Sequence, residues 1–302
     1  VIEQVDDEFF NDQWHLRNTG QGLGTPGADI NIVDAWAVTF GEDVVVGIYD
    51  DAIDVGHEDL ASNYTSFGHD ASTADEGPFA PNPLNSFDVH GTSVLGLAVA
   101  DGNSTGVRGV APAARFAASR GLLDAASLGQ DASAFIFARQ RNVDVHINSW
   151  GFPTATNSQV DVVVDAIRNA YNLGRDGRGM VVLFAAGNSG VELGPDDDLS
   201  TLPEVIGIGA SNADDVLASY SSFGAQIDML APSGDAFLPG MATTDVTDGA
   251  GFSAFGFNDG GGQDIFGNPD LSDGRYTKNF SGTSAACPVA AGVAALVLSR
   301  NR

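Results

Sequence analysis

The sequence has 302 residues, of which 43% are hydrophobic, so it can bury a large core in one domain or two. Its 40 acidic and 13 basic residues give a formal net charge of −27, which argues against nucleic-acid binding through a basic surface. The only cysteine is Cys287, so no disulfide forms within the chain, and no apolar run of about 18 residues predicts a membrane span.

Short apolar runs alternate with helical patterns along the chain, as in a parallel sheet covered by helices. The predicted strands are Val44–Tyr49, Val143–Asn148, Gly179–Phe184 and Val205–Gly209. The predicted helices begin at His90, cover Ala132–Arg141 and Val160–Leu173, and follow Ser284. Residues 62–88 and 245–279 are rich in Gly, Asp, Asn and Pro, which predicts long surface loops. We therefore expect an α/β fold of three layers, with a mainly parallel central sheet flanked by helices.

Four polar residues stand at the ends of these predicted elements. Asp50 ends a strand, His90 opens a helix, Asn188 follows a strand, and Ser284 opens the last helix. Ligands gather at the carboxyl ends of strands in open α/β sheets, so these residues are candidates for one site. Taken singly, each has an ordinary explanation as a helix cap, a loop residue or a turn residue.

Together the four residues supply what acyl transfer requires. A serine becomes nucleophilic when a histidine accepts its proton, and an aspartate then fixes the imidazole tautomer. An asparagine amide can bind the oxyanion together with the N–H of the serine. Asp51 is an alternative acid, but side chains alternate along a strand, so only one of Asp50 and Asp51 can face His90.

The segments around these residues resemble the signatures of the subtilisin superfamily of serine proteases. Gly282–Pro288 resembles the nucleophile segment, His90–Thr92 the histidine segment, and Ala185–Asn188 the oxyanion segment. The order Asp, His, Ser along the chain is also that of subtilisins. The similarity extends from about residue 7 to residue 297. It implies a serine endopeptidase with the catalytic residues Asp50, His90, Ser284 and Asn188.

Two further features resemble the kexin-like branch of that superfamily. Asp50-Asp51 is similar to its Asp-Asp-Gly, with Ala52 in place of the glycine, and the resemblance selects Asp50 as the acid. Gln13–Gln21 is similar to an N-terminal segment of bacterial kexin-like proteases. The resemblance implies one peptidase catalytic domain over residues 1–302, whose first 40 residues wrap around the core.

The resemblance also implies protein or peptide substrates. The implied substrate-binding residues are Ser149, Trp150, Gly151, Ala186 and Gly187. Asp198, in the run Asp196–Asp198, matches an acid of the first specificity pocket and would favour Arg or Lys before the scissile bond. A solvated acidic loop is the alternative interpretation. Thr154 occupies the place of another pocket acid.

A structural calcium ion is the cofactor that the resemblance implies. Residues 101–107 are similar to the strong calcium loop of subtilisins. The implied ligands are the side chains of Asp7, Asp59 and Asn103 and the carbonyls of Asp101, Thr105 and Val107. A polar loop without an ion is the alternative. A second, weaker site is expected among Asp70, Asp75 and Glu76. A third site is expected to be absent, because Thr154 and Ser222 are not acidic.

The surroundings of this domain are outlined by the same resemblance. Val1–Gln4 lack the basic and apolar regions of a signal peptide, so we expect a secreted protein whose signal and pro segments have been removed. A propeptide or a protein inhibitor is an expected partner. Proteins of this kind continue with a further helix and often a β-sandwich P-domain, which we expect to be missing from a sequence that ends at Arg302.

Two other functions remain open at this stage. An inactive member of the superfamily would only bind calcium or a partner protein, and the complete set of four catalytic residue types argues against it. A lipase or esterase would carry a Gly-x-Ser-x-Gly elbow, but residues 251–255 end in Phe where the motif requires Gly.

Overall fold

The computed structural model describes residues 5–122, 124, 127–152, 155–247, 256–263 and 267–301. Its main feature is an eight-stranded sheet with the order β3-β2-β4-β1-β5-β6-β7-β8. These strands are β1 Val45–Asp50, β2 Tyr64–Asp70, β3 Asp75–Glu76, β4 Arg115–Arg120, β5 Val145–Asn148, β6 Val181–Ala185, β7 Ile206–Ser211 and β8 Met229–Pro232. All neighbouring pairs are parallel except β2 with β3.

The helices cover both faces of this sheet. They are α1 Ile32–Trp36, α2 His90–Val99, α3 Leu128–Gln140, α4 Asp161–Gly177 and α5 Thr283–Arg300. Side chains of β1 alternate between the two faces, so Ile48 packs in a cluster with α2 and α5, whereas Tyr49 packs in a second cluster with α3 and α4. The expected three-layer α/β fold with a mainly parallel sheet is confirmed.

Every strand and helix predicted from apolar periodicity is present, but the predicted loop over residues 62–88 was wrong in part. It contains β2 and β3 at one edge of the sheet. The reason is local: β2 is half exposed and is interrupted at Ser66 by a left-handed backbone with φ 64°, so it lacks a strand pattern. Residues 251–255, with the imperfect elbow motif, lie outside the described residues, and so does Thr154.

Four more strands lie outside the predicted set, and the last of them begins inside the surface loop predicted over residues 245–279. They are β4, β8, and a separate antiparallel pair formed by β9 Met241–Thr244 and β10 Tyr276–Phe280. The sequence of β4 is Arg-Phe-Ala-Ala-Ser-Arg, which has low intrinsic strand propensity and becomes a strand because β1 and β2 flank it. Tertiary context determines these elements.

Helix α5 passes through the centre of the molecule. Its length and apolar composition would suffice to cross a membrane, but most of it is buried, and it packs against α2 and five strands of the sheet. Gly292 is required there, because a Cβ atom at this position would lie 2.5 Å from Cβ of Val110. This helix is therefore the core helix of the domain.

The N-terminal segment packs against the same core. Phe10, Trp14 and Trp36 are buried in the cluster that contains α2 and α5. The indole N–H of Trp14 donates to the carbonyl of Gly240 at 2.8 Å, and that of Trp36 donates to the carbonyl of Val110 at 2.9 Å. The segment thereby joins parts of the chain that are far apart in sequence.

Candidate active site

The Asp50 carboxylate and the His90 ring form the first half of the candidate site. Asp50 is the last residue of β1 and is fully buried, and His90 opens α2. Oδ1 of Asp50 lies 2.8 Å from Nδ1 of His90 and also accepts the Asp51 N–H at 2.8 Å. Oδ2 of Asp50 has no hydrogen bond within the described part of the chain. The imidazole is thus the principal partner of a buried negative charge.

This pairing changes the protonation of His90. Burial by itself lowers the pKa of His90, but the facing Asp50 carboxylate and, more weakly, Asp51 outweigh it and raise the pKa to about 9. The Asp50 carboxylate therefore favours the imidazolium that forms when the histidine accepts a proton. The ring is also packed edge-on against Phe280, with the ring centroids 5.5 Å apart.

Ser284 lies in the first turn of α5, close to the end of β5. Its hydroxyl donates to the carbonyl of Ser149 at 3.2 Å, and the hydroxyl of Ser149 donates to the carbonyl of Ser284 at 2.9 Å. The second bond has a cause in the sequence. Pro288 lacks the N–H that would bond to the carbonyl four residues earlier, so the Ser284 carbonyl is left free for Ser149.

His90 and Ser284 are brought to the same edge of the sheet. Strand β5, which leads to Ser149, is the direct neighbour of β1, which ends at Asp50, and Phe280 links the His90 ring to the segment just before Ser284. No hydrogen bond joins the His90 and Ser284 side chains among the residues that the structure describes. Catalytic hydrogen bonds are often long until substrate binds, so this arrangement is compatible with proton transfer.

Asn188 is an exposed residue whose amide oxygen is bonded to the start of α5. Oδ1 accepts the backbone N–H of Thr283 at 2.8 Å and the hydroxyl of Thr283 at 3.0 Å. Because a backbone N–H can only donate, these bonds fix which end of the amide is oxygen. The nitrogen makes no hydrogen bond with any described residue and faces Gly282, where a Cβ atom would lie only 3.1 Å away. Gly282 also has φ 88°, a conformation that favours glycine.

The predicted substrate-binding segments lie beside this edge. Trp150 is buried among aromatic rings and directly follows Ser149. Gly151 faces Asp198, because a Cβ atom at Gly151 would lie 2.8 Å from Oδ2 of that carboxylate. Oδ1 of Asp198 accepts the Ser200 N–H at 2.9 Å, and burial raises the pKa of Asp198. The structure thus brings Asp198 to the substrate-binding segment.

The two remaining residues of that prediction follow β6. Ala186 is buried, and its N–H donates to the carbonyl of Ile208 at 2.9 Å. The N–H of Gly187 donates to the hydroxyl of Thr283 at 3.0 Å. Both residues therefore connect the β6 end to its neighbour β7 and to the start of α5.

The predicted calcium ligands surround the loop of residues 101–107. Asp59 is fully buried; its carboxylate accepts the Val107 N–H at 2.9 Å and the Asn103 amide at 3.0 Å. Burial raises the pKa of Asp59 to about 7. Asp7 accepts the Asn103 N–H at 3.1 Å and is paired with Arg108 at 2.6 Å. Burial raises the pKa of Asp7 as well, against the opposing effect of Arg108.

The carbonyl groups of this loop have free acceptor capacity. Those of Asp101, Thr105 and Val107 accept no hydrogen bond from the described residues. Two buried carboxylates and three such carbonyls are the oxygen donors that calcium prefers. Asn103 presents its amide nitrogen to Asp59, so its amide must turn to contribute an oxygen. This rotation would also break the bond that Oδ1 of Asn103 accepts from the Thr105 N–H at 2.9 Å. The remaining oxygen atoms are of the kind that binds calcium.

The weaker metal site expected among Asp70, Asp75 and Glu76 does not form. Asp70 is bonded to Arg120 at 2.8 Å, and Glu76 is paired with Arg141. These arginines neutralise the acids, and hydrogen bonds from Ser72 and Arg120 lower the pKa of Asp70 against the effect of burial. Ser222, at the place of the third calcium site, is buried and offers no carboxylate.

Sequence reasoning missed two residues that organise this site. Asp51 was treated only as a competitor of Asp50, but its carboxylate bonds to the first turn of α2. Thr283 orients the Asn188 amide and also binds the N–H of Gly187. A hydrophobic residue before His90, where a capping side chain would be usual, is the one sequence signal that points to Asp51.

Known proteins resemble the chain over nearly its whole length. The model of the "Subtilase family" matches residues 41–302. A "Calcium-dependent protease" of Trichormus variabilis is 36% identical over 97% of this chain and 44% of its own length. "Neuroendocrine convertase 2" of Sus scrofa is 34% identical over 98% of this chain and 44% of its own. The crystal structure of a serine protease of Aeromonas sobria matches with a TM-score of 0.84 and 26% identity, covering 99% of this chain and 55% of that one. The chain thus spans less than half the length of these two curated relatives.

Proposed function

Because the chain belongs to the subtilase family of serine proteases, we propose that it is an endopeptidase in which Asp50, His90 and Ser284 form the catalytic triad. The observation that carries this proposal is the 2.8 Å contact between the buried Asp50 carboxylate and Nδ1 of His90. It leaves Nε2 as the nitrogen that can accept the Ser284 proton.

The proposed reaction proceeds through an acyl-enzyme. The Ser284 oxygen attacks the carbonyl carbon of the scissile peptide while its proton passes to His90. The C–N bond then breaks, and His90 returns the proton to the leaving amine. A water molecule, deprotonated by His90 in the same way, attacks the ester carbon. The ester C–O bond then breaks, His90 returns the proton to the Ser284 oxygen, and the acyl product leaves as a carboxylic acid. Asp50 orients the ring and stabilises its charged form throughout.

Asn188 is proposed to bind the oxyanion. Its amide nitrogen has no hydrogen bond with the residues that the structure describes, and Thr283 fixes the orientation of the amide through its oxygen. The N-terminus of α5, where Ser284 lies, supplies backbone N–H groups and the positive end of a helix dipole to the same oxygen. These donors are in place before the reaction, so they stabilise developing charge without reorganisation.

Labelling with a biotinylated organophosphonate tests the proposal most directly. Such a probe modifies an activated serine, and peptide mapping identifies the residue. We expect modification of Ser284 in the parent chain, and none in Ser284→Ala or His90→Ala. Ser281→Ala is a matched control, because it removes a hydroxyl from the same segment and should leave labelling intact. Labelling at any other serine would overturn the assignment.

Asp198 is proposed to set a preference for Arg or Lys before the scissile bond. Its Oδ2 lies beside Gly151, and no described residue forms a salt bridge with this partly buried carboxylate, so a cationic side chain would be a favourable ligand. The acidic shell of the protein also attracts basic peptides by its long-range field. Protein or peptide chains with exposed basic residues are thus the proposed substrates.

A structural calcium ion is proposed at the 101–107 loop. Asp59, Asp7 and Asn103 would hold it with the carbonyls of the loop, and the relatives named as calcium-dependent proteases agree with this proposal. The ion would neutralise the buried Asp59 carboxylate and would tie the N-terminal segment to the loop. It plays no part in the chemical steps.

Secretion, with control by a propeptide or a protein inhibitor, completes the proposal. Subtilase membership and the strongly acidic surface support an extracellular enzyme. Fractionation of the source cells, followed by antibody detection in the medium, tests it. Retention of all the protein inside the cells would contradict secretion.

A further inference from the structure

Helix α2 has no cap of its own. The residue at its N-cap position is Val89, whose side chain cannot accept a hydrogen bond, and no side-chain cap is formed there. The first N–H groups of a helix have no partner within the helix, so a buried helix start needs an acceptor from elsewhere. This helix begins with His90, so the missing cap concerns the proposed catalytic base directly.

Asp51 supplies this cap from a distant segment. Its Oδ2 accepts the N–H groups of Val89 and His90 at 2.9 and 2.8 Å, and its Oδ1 accepts that of Gly91 at 2.8 Å. Oδ1 also accepts the N–H of Ala52 at 2.6 Å, which holds the carboxylate in its own loop. Asp51 is only 3% exposed. One buried carboxylate therefore satisfies three of the first four N–H groups of α2.

The first turn of α2 is in close contact with residues 50–52, which include both Asp50 and Asp51. A Cβ atom at Gly91 would lie 2.4 Å from the Ala52 carbonyl oxygen and 2.7 Å from Cβ of Asp50. A larger side chain would push the helix away. Glycine at this position and the Asp51 cap together set how His90 stands relative to Asp50.

We propose that Asp51 is a positioning residue, whose carboxylate fixes the first turn of α2 so that the His90 ring stays aligned with Asp50. This inference rests on the proposed triad. Asp51 acts through the helix backbone and through its charge, and it does not touch the reacting atoms. Its titratable neighbours are Asp50 on β1 and His90 on α2.

The substitution Asp51→Asn tests the inference. It keeps the size of the side chain but replaces one acceptor oxygen by a donor, so part of the cap is lost. We expect kcat to fall by roughly 10- to 100-fold with little change in KM, because the base is misaligned. Loss of the nearby negative charge should also move the acidic limb of the kcat/KM profile to lower pH by roughly 0.5 to 1 unit.

Asp144→Asn is the matched control. Asp144 is a buried carboxylate that accepts the N–H of Val45 at 2.9 Å, at the opposite end of β1, and pairs with Arg175. Its substitution should lower the melting temperature but leave the pH profile of the folded enzyme in place. If Asp51→Asn behaves in the same way, Asp51 is merely structural and the inference is wrong.

Hydrogen–deuterium exchange gives a readout that does not depend on activity. Peptides covering residues 88–92 should take up deuterium faster in Asp51→Asn than in the parent chain or in Asp144→Asn. Unchanged uptake there would refute the cap. A parent chain without any peptidase activity would instead overturn the proposed function, and the exchange result would still decide whether Asp51 anchors the helix.

Discussion

The candidate active site, at the carboxyl ends of β1 and β5, and the 101–107 loop region both contain buried carboxylates. The hydrogen-bond partners of these carboxylates differ between the two regions. In the candidate active site, burial and the neighbouring Asp50 raise the pKa of Asp51 to about 7. The oxygens of Asp51 are bonded to backbone N–H groups of its own loop and of α2. Asp59, in the loop region, also has a pKa of about 7, but it adjoins carbonyls that accept no hydrogen bond from the described residues. The protein itself supplies the partners in the first region, whereas in the second we propose that a cation supplies them.

This difference teaches what each buried charge is for. A carboxylate that is hydrogen-bonded to the start of a helix and to a histidine fixes the orientation of those groups, and this alignment favours a fast reaction. A carboxylate beside carbonyls with free acceptor capacity can contribute to the proposed ion site, and binding of the ion would then raise the free energy of unfolding. The two regions should therefore respond separately to perturbation.

The largest expected effect is on the rate alone. Ser284→Ala should lower kcat for a peptide substrate by about 10⁵-fold or more, because the nucleophile is lost. The melting temperature should change little, since only one hydroxyl is removed. Parallel peptidase assays and thermal melts check this, and a large loss of stability would show that the two regions are not separable.

The second effect should fall on stability alone. Removal of calcium by a chelator should lower the free energy of unfolding by about 3 to 4 kcal/mol when the ion had been present at about 100 to 1,000 times its Kd. Calorimetry with and without added calcium measures the shift. Asp59→Asn should abolish the response, whereas Asp228→Asn, a substitution remote from the loop, should keep it. An unchanged melting temperature after chelation would remove the calcium proposal.

A third prediction concerns specificity at the active-site edge. Asp198→Asn should lower kcat/KM for substrates with Arg or Lys before the scissile bond by roughly 10- to 100-fold, because a charge-assisted hydrogen bond is lost. Substrates with apolar residues at that position should change little. Asp196→Asn, in the same acidic run but exposed, is the control. A cleavage profile from a peptide library that shows no basic preference in the parent would contradict the pocket assignment.

The last prediction concerns the response to pH, which needs no substitution. The proposed base must be neutral to accept a proton, and its pKa is raised to about 9, so kcat/KM should rise with pH through the range below 9. Far below that value, each pH unit should change the rate by about tenfold. Initial rates from pH 6 to 10 measure the limb. A midpoint near the ordinary histidine value would show that Asp50 perturbs His90 less than the structure indicates.

The sequence was sufficient for the periodic parts of the fold. The segments that became β1, β6 and β7 are nearly continuous apolar runs, so burial on both faces could be predicted from them directly, and β5 was predicted from its alternating valine and isoleucine residues. Strand β4, with two arginines and three small residues, could not be predicted, because its neighbours determine its conformation. Strands β2 and β3, at one side of the sheet, could not be predicted for the same reason.

The residues of the candidate site also fall into those that the sequence predicted and those that it could not predict. Asp50, His90, Asn188 and Ser284 were found because each stands at the end of an element and matches a short motif. The role of Asp51 could not be found, because it depends on contacts between segments about 40 residues apart. The arginines that neutralise Asp70 and Glu76 are even more distant, 50 and 65 residues along the sequence, so a count of acids alone suggested a metal site there.

Pro288 shows how a defect in a helix can serve a neighbouring element. An alanine there would restore the regular bond to the Ser284 carbonyl and would make α5 a better helix on its own. The Ser149 hydroxyl would then compete with this N–H for the Ser284 carbonyl. The hydrogen-bonded contact between the end of β5 and the start of α5 would weaken. Efforts to stabilise this protein by replacing helix-interior prolines should therefore leave position 288 alone, because the irregular turn holds Ser284, the proposed nucleophile, beside the end of β5.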